Sequence, residues 1–126
     1  MSIVSFIKDT RAASAVEFAM TAPAFMAVTI GTIVMSLLVF AQIGLQNATE
    51  LAARCASLNP GICSGTAAIQ SYAASNMHGF SVPASAFSVT TRQCGTEVSA
   101  AYDFLYVSSF FGAPSVTLTE KACFPK

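Results

Sequence analysis

Charge is what this sequence has least of. Six of its 126 residues are Lys or Arg and six are Asp or Glu, 10% in all, against about a quarter in ordinary soluble domains. The two signs cancel and the pI lies near 6.5, so no electropositive surface offers itself to a phosphate backbone, which excludes nucleic acid as a partner. Tryptophan is absent and histidine occurs once, at His78. A single histidine cannot complete a two-histidine zinc site. The cysteine spacings of 8, 31 and 29 residues also lack the close pairs of structural zinc centres. No metal or other cofactor is therefore expected. The acids Glu97, Asp103 and Glu120 fall at polar or edge positions of predicted strands, where carboxylates keep sheet edges soluble, and nothing pairs two of them in a cleft for acid-base work. The chain does not read as an enzyme.

What is present is one long apolar run. No charged residue occurs in residues 18–49, and the mean hydropathy of the whole chain is +0.63. As a helix, residues 18–45 rise about 42 Å at 1.5 Å per residue, more than the roughly 30 Å of a bilayer's hydrocarbon core. A membrane span over about 18–45 follows, with tilt or overhang. Lys8 and Arg11, accompanied by Asp9, precede the span, and the next cation is Arg54. That bias places the N-terminus in the cytoplasm and the C-terminal part on the exported side. Cysteine is missing before and within the span, and Cys55, Cys63, Cys94 and Cys123 all follow it. An even number on the exported side suits an oxidising compartment and disulfides.

The helix is predicted to continue past the span until Asn59, Pro60 and Gly61 break it, so one long helix covers 13–59. Gly44, Ala48, Ala52 and Ala56 recur every fourth residue in its outer part, and Ala27 and Gly31 form a similar pair within the span. Such narrow faces let another backbone pack closely. Alanine's high helix propensity explains the same residues without any packing role, so both readings stand.

Residues 60–126 are predicted to form a small exported α+β domain. Residues 64–80 read as a short helix, with Ser64 or Thr66 as its N-cap, Ile69, Tyr72 and Ala73 on one face, and Gly79 as its stop. Three β-like runs follow at 86–94, 96–107 and 115–124. Val98, Ala100, Tyr102, Phe104 and Tyr106 alternate along the second, and Val116, Leu118, Ala122 and Phe124 along the third. A small antiparallel sheet results, with a turn at Gly95 and a connection over 108–114. Centring that connection near Phe111 sets Cys123 opposite about Ser99, close to the corner that holds Cys94. This favours a Cys94–Cys123 bridge and leaves Cys55 to pair with Cys63, although sequence alone allows three connectivities.

The segment "RAASAVEFAMTAP" (11–23), leading into a long apolar helix, resembles the processing segment of type IV pilin-like proteins. In these a small residue is cut from a mature chain whose fifth residue is glutamate followed by an aromatic. Glu17 and Phe18 supply that pair, so the resemblance implies a cut after Ala12 and a mature start at Ala13. Val16, Glu17, Phe18, Ala19 and Pro23, with "LQNATELAARCA" (45–56) and "VTLTEKACFP" (116–125), are similar to TadE-like minor pseudopilins of tight-adherence (Flp) pilus systems. One departure is Ala12, where the family usually has glycine. The resemblance implies a 12-residue cytoplasmic leader removed by a prepilin peptidase, and a single-pass protein of the bacterial inner membrane. Its C-terminal domain would be periplasmic, or extracellular once in a pilus. Its partners would be other pilins or pseudopilins, the pilus assembly machinery and the lipid bilayer. Removing Met1 to Ala12 would leave the Ala13 amine and Glu17 as the only charges beside the helix. A carboxylate near the bilayer needs a partner or a shallow position. A neighbouring subunit's Ala13 amine would supply the partner and make Glu17 a registration point between subunits.

A different class of protein has to be weighed beside this one. Val39 and Ala41 fit a small-residue cleavage site before Gln42, which would make the chain a secreted soluble binding domain with a signal peptide ending near Ala41. Against it stands the length of the apolar run, well above the usual 7 to 15 residues of a signal peptide's core.

Overall fold

The computed structural model describes residues 10–105, 112 and 115–125, with only the backbone for 10–13. The chain is α+β: a long helix α1 (Thr10–Leu58), a short helix α2 (Thr66–Ser75), a 3-10 turn (Ala84–Ala86), and strands β1 (Phe87–Arg92), β2 (Gly95–Phe104) and β3 (Val116–Phe124). Contacts divide it into two compact units, Met1–Ser36 and Leu37–Lys126. The connection at 108–114 lies outside the described residues except for Gly112, as does Tyr106.

In the first unit the side chains of α1 from Ser14 onward are exposed or half-exposed. Pro23 sits inside it. A proline there offers no N–H to the carbonyl one turn earlier, which ordinarily weakens or bends a helix. The hydroxyl residues bond back along the same helix. Thr21 donates to the Glu17 and Phe18 carbonyls at 3.1 and 3.3 Å, and Thr29 to the Phe25 carbonyl at 2.8 Å. Thr32 and Ser36 make equivalent 2.8 Å bonds to the Thr29 and Thr32 carbonyls. Each hydroxyl is thus satisfied without water, the condition an apolar surrounding imposes.

The second unit packs the rest of α1 and α2 against one face of the sheet. The strands lie in the order β1-β2-β3, both pairs antiparallel. Period-two alternation turns Thr96, Val98, Ala100 and Phe104 of β2 inward, joined by Phe87 of β1 and Leu118 of β3. These meet Ala41, Leu45, Ala48, Ala52 and Ala53 of α1 and Ile69 and Ala73 of α2. Thr49, buried among them, satisfies its hydroxyl on the Gln46 carbonyl at 2.7 Å.

Three sequence expectations shift. The N-cap of α2 is Gly65, at φ 115°, rather than Ser64 or Thr66. Glycine alone reaches that backbone without strain, and its carbonyl accepts the Ile69 N–H at 3.1 Å. The same helix stops at Ser75, capped by Asn76, so Gly79 stands beyond its end. Cys123 pairs across the ladder with Glu97, and Ser99 pairs with Lys121. The β2–β3 connection is therefore centred one residue earlier than assumed. A two-residue change of partner keeps every side chain on its face, so the inward pattern is unaffected.

Two disulfides close the unit. Cys55, near the end of α1, is bonded to Cys63 across the Pro60–Gly61 turn, Cα atoms 5.9 Å apart. Cys94, in the β1–β2 turn, is bonded to Cys123 near the end of β3, Cα atoms 6.2 Å apart. Gly95 beside it is at φ 126°, and an added Cβ there would overlap the Phe124 carbonyl. The chain closes over this corner too tightly for any side chain.

Candidate functional site

The part of α1 that precedes the packed unit presents side chains of one kind outward. Val16, Phe18, Met20, Phe25, Met26, Val28, Ile33 and Met35 are all more than half exposed. Over Ser14–Leu58 the helix is long and apolar enough to cross a membrane, and only 6% of its most apolar window is buried within the protein. The core helix of a soluble domain would be covered. This one is bare, which makes it compatible with a single-pass anchor whose surface is to be covered by lipid or by other helices.

Glu17 stands exposed at the head of that surface, next to Phe18, which is 72% exposed. Its main-chain carbonyl accepts from Thr21. Among the described residues its carboxylate has no ion-pair partner. Ala12 and Ala13 lie on the same continuous helix, which begins at Thr10. One helical turn, four residues, separates Ala13 from Glu17, so both occupy one face.

The two small-residue faces have different surroundings. Ala27 is exposed, and nothing lies within 4 Å of a Cβ placed on Gly31. Ala48 and Ala52 are fully buried within the second unit, with Ala56 half-buried at the margin of the core. A Cβ on Gly44 would rest 3.5 Å from the Met77 side chain. The outer face thus packs against the chain's own α2 and sheet, while the inner pair faces outward.

Polar side chains tie α1 to the sheet within the second unit. Gln42 donates from Nε2 to the Glu120 carboxylate, and Ser57 donates to the Phe124 carbonyl at 3.3 Å. The guanidinium of Arg54 lies 5.7 Å above the centre of the Phe124 ring, a cation–π distance. Glu120 lies on β3, an edge strand, and there shares the inward face with Leu118 and Ala122, half-buried, with Gln42 supplying the amide donor that a carboxylate needs in that place. Glu97 keeps its outer position with Arg92 at 3.6 Å, and Asp103 accepts from Thr117 at 2.6 Å. A groove of about 480 Å³ between α1 and β3 is lined by Asn47, Glu50, Arg54 and Lys121, a mixed-charge surface without a reactive pair. Among the described residues no group of three or more His, Cys, Asp or Glu could hold a metal ion.

An exposed apolar helix that leads into a disulfide-bonded α+β unit is compatible with a single-pass membrane anchor. Residues 12–54 match the family model described as TadE-like protein, so the helix from the Ala12 position to Arg54 is TadE-like, consistent with a pilin-related protein of Tad pili. The match points to a role in Tad pilus systems, in association with other pilus components, and that family is structural rather than enzymatic. No curated protein and no solved structure matches the chain.

Proposed function

We propose that the chain is a minor pseudopilin of a tight-adherence (Flp) pilus, a substrate of the prepilin peptidase that is cut after Ala12. The anchor sits in the bacterial inner membrane with its N-terminus in the cytoplasm and the disulfide-bonded domain in the periplasm, or outside the cell once in a pilus. The observation that carries this reading is the position of Glu17: an exposed carboxylate heading an uncovered apolar helix, inside a segment that is TadE-like.

Cleavage would create the amine of Ala13 one turn from Glu17. In an assembly of parallel helices, a neighbour's amine beside this carboxylate would pair two charges that are costly near hydrocarbon. Insertion scales put such a carboxylate at roughly 2.5 to 3.5 kcal/mol in mid-membrane. Only one axial stagger satisfies both charges, while the exposed side chains of α1 supply contact in many staggers. Glu17 therefore sets register and the apolar surface sets adhesion. The exposed Ala27 and the half-exposed Gly31, with open space beside it, offer these helices a place of close approach.

Ala41 supports this reading over secretion after a signal peptide. It is buried in the core of the second unit, where Leu37 and Leu38 also pack, and a cut there would remove packed residues from the domain it released. The test is Glu17→Ala in cells that make the pilus. Membrane insertion should be retained and pilus formation or incorporation lost. Normal piliation and adherence in that variant would remove the registration role.

A further inference from the structure

We propose that the end of the second unit at which α1 enters it, the end formed by Phe40, Phe80, Phe104 and Val116, rests on the lipid surface while the chain is in the membrane. The inference relies on the reading of α1 as a membrane span. Counting from Phe18, the first residue after Glu17, to Ser36 gives 19 residues, a rise of about 28 Å. That nearly exhausts the roughly 30 Å hydrocarbon thickness. Leu37 and Leu38 are the first residues of α1 that pack against the domain core. Along the chain, no residues are therefore left over as a spacer between the span and the domain.

The chemistry of that end suits a lipid boundary. The Phe40 and Phe80 rings lie 6.0 Å apart and Phe80 meets Phe104 edge-on at 5.7 Å, an aromatic row running from α1 to the end of β2. Around it Val39 is 52%, Phe40 49%, Ile43 58%, Leu105 65% and Val116 37% exposed. No charged residue occurs from Phe104 to Thr119. Asp103, next to Phe104 in sequence, is exposed and accepts from Thr117, Glu120 is half-buried against Gln42, and His78 is exposed beyond α2. These limit the immersion to the boundary between headgroups and acyl chains, where aromatic side chains concentrate. The opposite end of the sheet, with Arg92, Glu97 and the Cys94–Cys123 corner, is charged. A lipid surface is favoured over a second protein copy because the apolar end is continuous along the chain with the apolar helix.

The absence of tryptophan makes the test direct. The full chain carrying Val116→Trp, with Leu105→Trp as a second probe should the first disturb the strand, is reconstituted into phosphatidylcholine vesicles with and without brominated acyl chains. Val28→Trp reports the span and Arg92→Trp the far end. The proposal expects blue-shifted emission at position 116 or 105, quenched by shallow bromine, and no quenching at 92. Unquenched emission at 116 and 105 like that at 92 overturns it. Blue-shifted but unquenched emission also overturns it, since protein rather than lipid then covers the surface. Absence of quenching at 28 would instead remove the membrane reading itself.

Discussion

Replacing Gly95 with alanine should damage the disulfide-bonded unit more than any other single methyl added to a glycine outside α1. The position combines two constraints. Its φ of 126° lies where side-chain-bearing residues are strained, at a cost of about 1 to 3 kcal/mol. A Cβ there would also stand 2.8 Å from the Phe124 carbonyl carbon and from Pro125 Cα, both backbone atoms. Relief requires the end of β3 to move away, and the Cys94–Cys123 bond beside it opposes that motion. Adding an overpacking cost of about 1 to 3 kcal/mol gives a total of about 2 to 6 kcal/mol. A unit of this size is stable by about 5 to 13 kcal/mol at 0.05 to 0.15 kcal/mol per residue, so the loss is a large share. Urea titration of the detergent-solubilised full chain, read by brief proteolysis of the unfolded domain, should show the midpoint falling by about 1.3 to 4 M for a slope of about 1.5 kcal/mol per molar. Gly61→Ala is the matched control, since nothing lies within 4 Å of its Cβ. It should be neutral or slightly stabilising. Equal midpoints for the two variants would refute the reasoning.

The remaining expectations can be checked on the same preparation. The chain-entropy relation assigns about 2.5 kcal/mol to the Cys55–Cys63 loop of 8 residues and about 3.6 kcal/mol to the Cys94–Cys123 loop of 29. The double serine variant of the second pair should therefore lose more stability, and non-reducing peptide mapping should find no free thiol in the parent. Ala52→Leu should cost at least about 1 to 3 kcal/mol in the domain, because Ala52 is fully buried. Ala27→Leu should leave the domain's urea midpoint unchanged, and lower pilus assembly if helices approach one another at that face. Gln42→Leu should cost about 1 to 3 kcal/mol by leaving the half-buried Glu120 carboxylate without its amide donor. Much of that loss should return in the Gln42→Leu, Glu120→Leu double variant.

The elements of this fold are written in its local patterns, whereas some of their mutual arrangements are not. Alternation along Val98, Ala100 and Phe104 gives β2 and its inward face, and Asn59, Pro60 and Gly61 set the end of α1 near Leu58. The strand register differed by two residues because faces repeat with period two, leaving hydrophobicity unable to distinguish Glu97 from Ser99 opposite Cys123. The edge position of Glu120 is legible, but not its inward side chain, because its partner, Gln42, lies 78 residues away. The start of the packed unit was hidden for a further reason. Leu37, Leu38 and Ala41 face a protein core and Met35 and Val39 do not, yet lipid and core select the same side chains. At the candidate site the sequence names Glu17 and Phe18 by motif, and the structure adds that both are exposed. That Gly44, Ala48 and Ala52 pack within their own domain needed the sheet and α2 to be in place.

Processing at Ala12 is the central claim, and the mass of the mature chain tests it most directly. The protein isolated from membranes of cells with an active prepilin peptidase should begin at Ala13, and the same chain from peptidase-deficient cells should retain its leader. A chain still beginning at Met1 in the presence of the peptidase, or one beginning at Gln42, would contradict it.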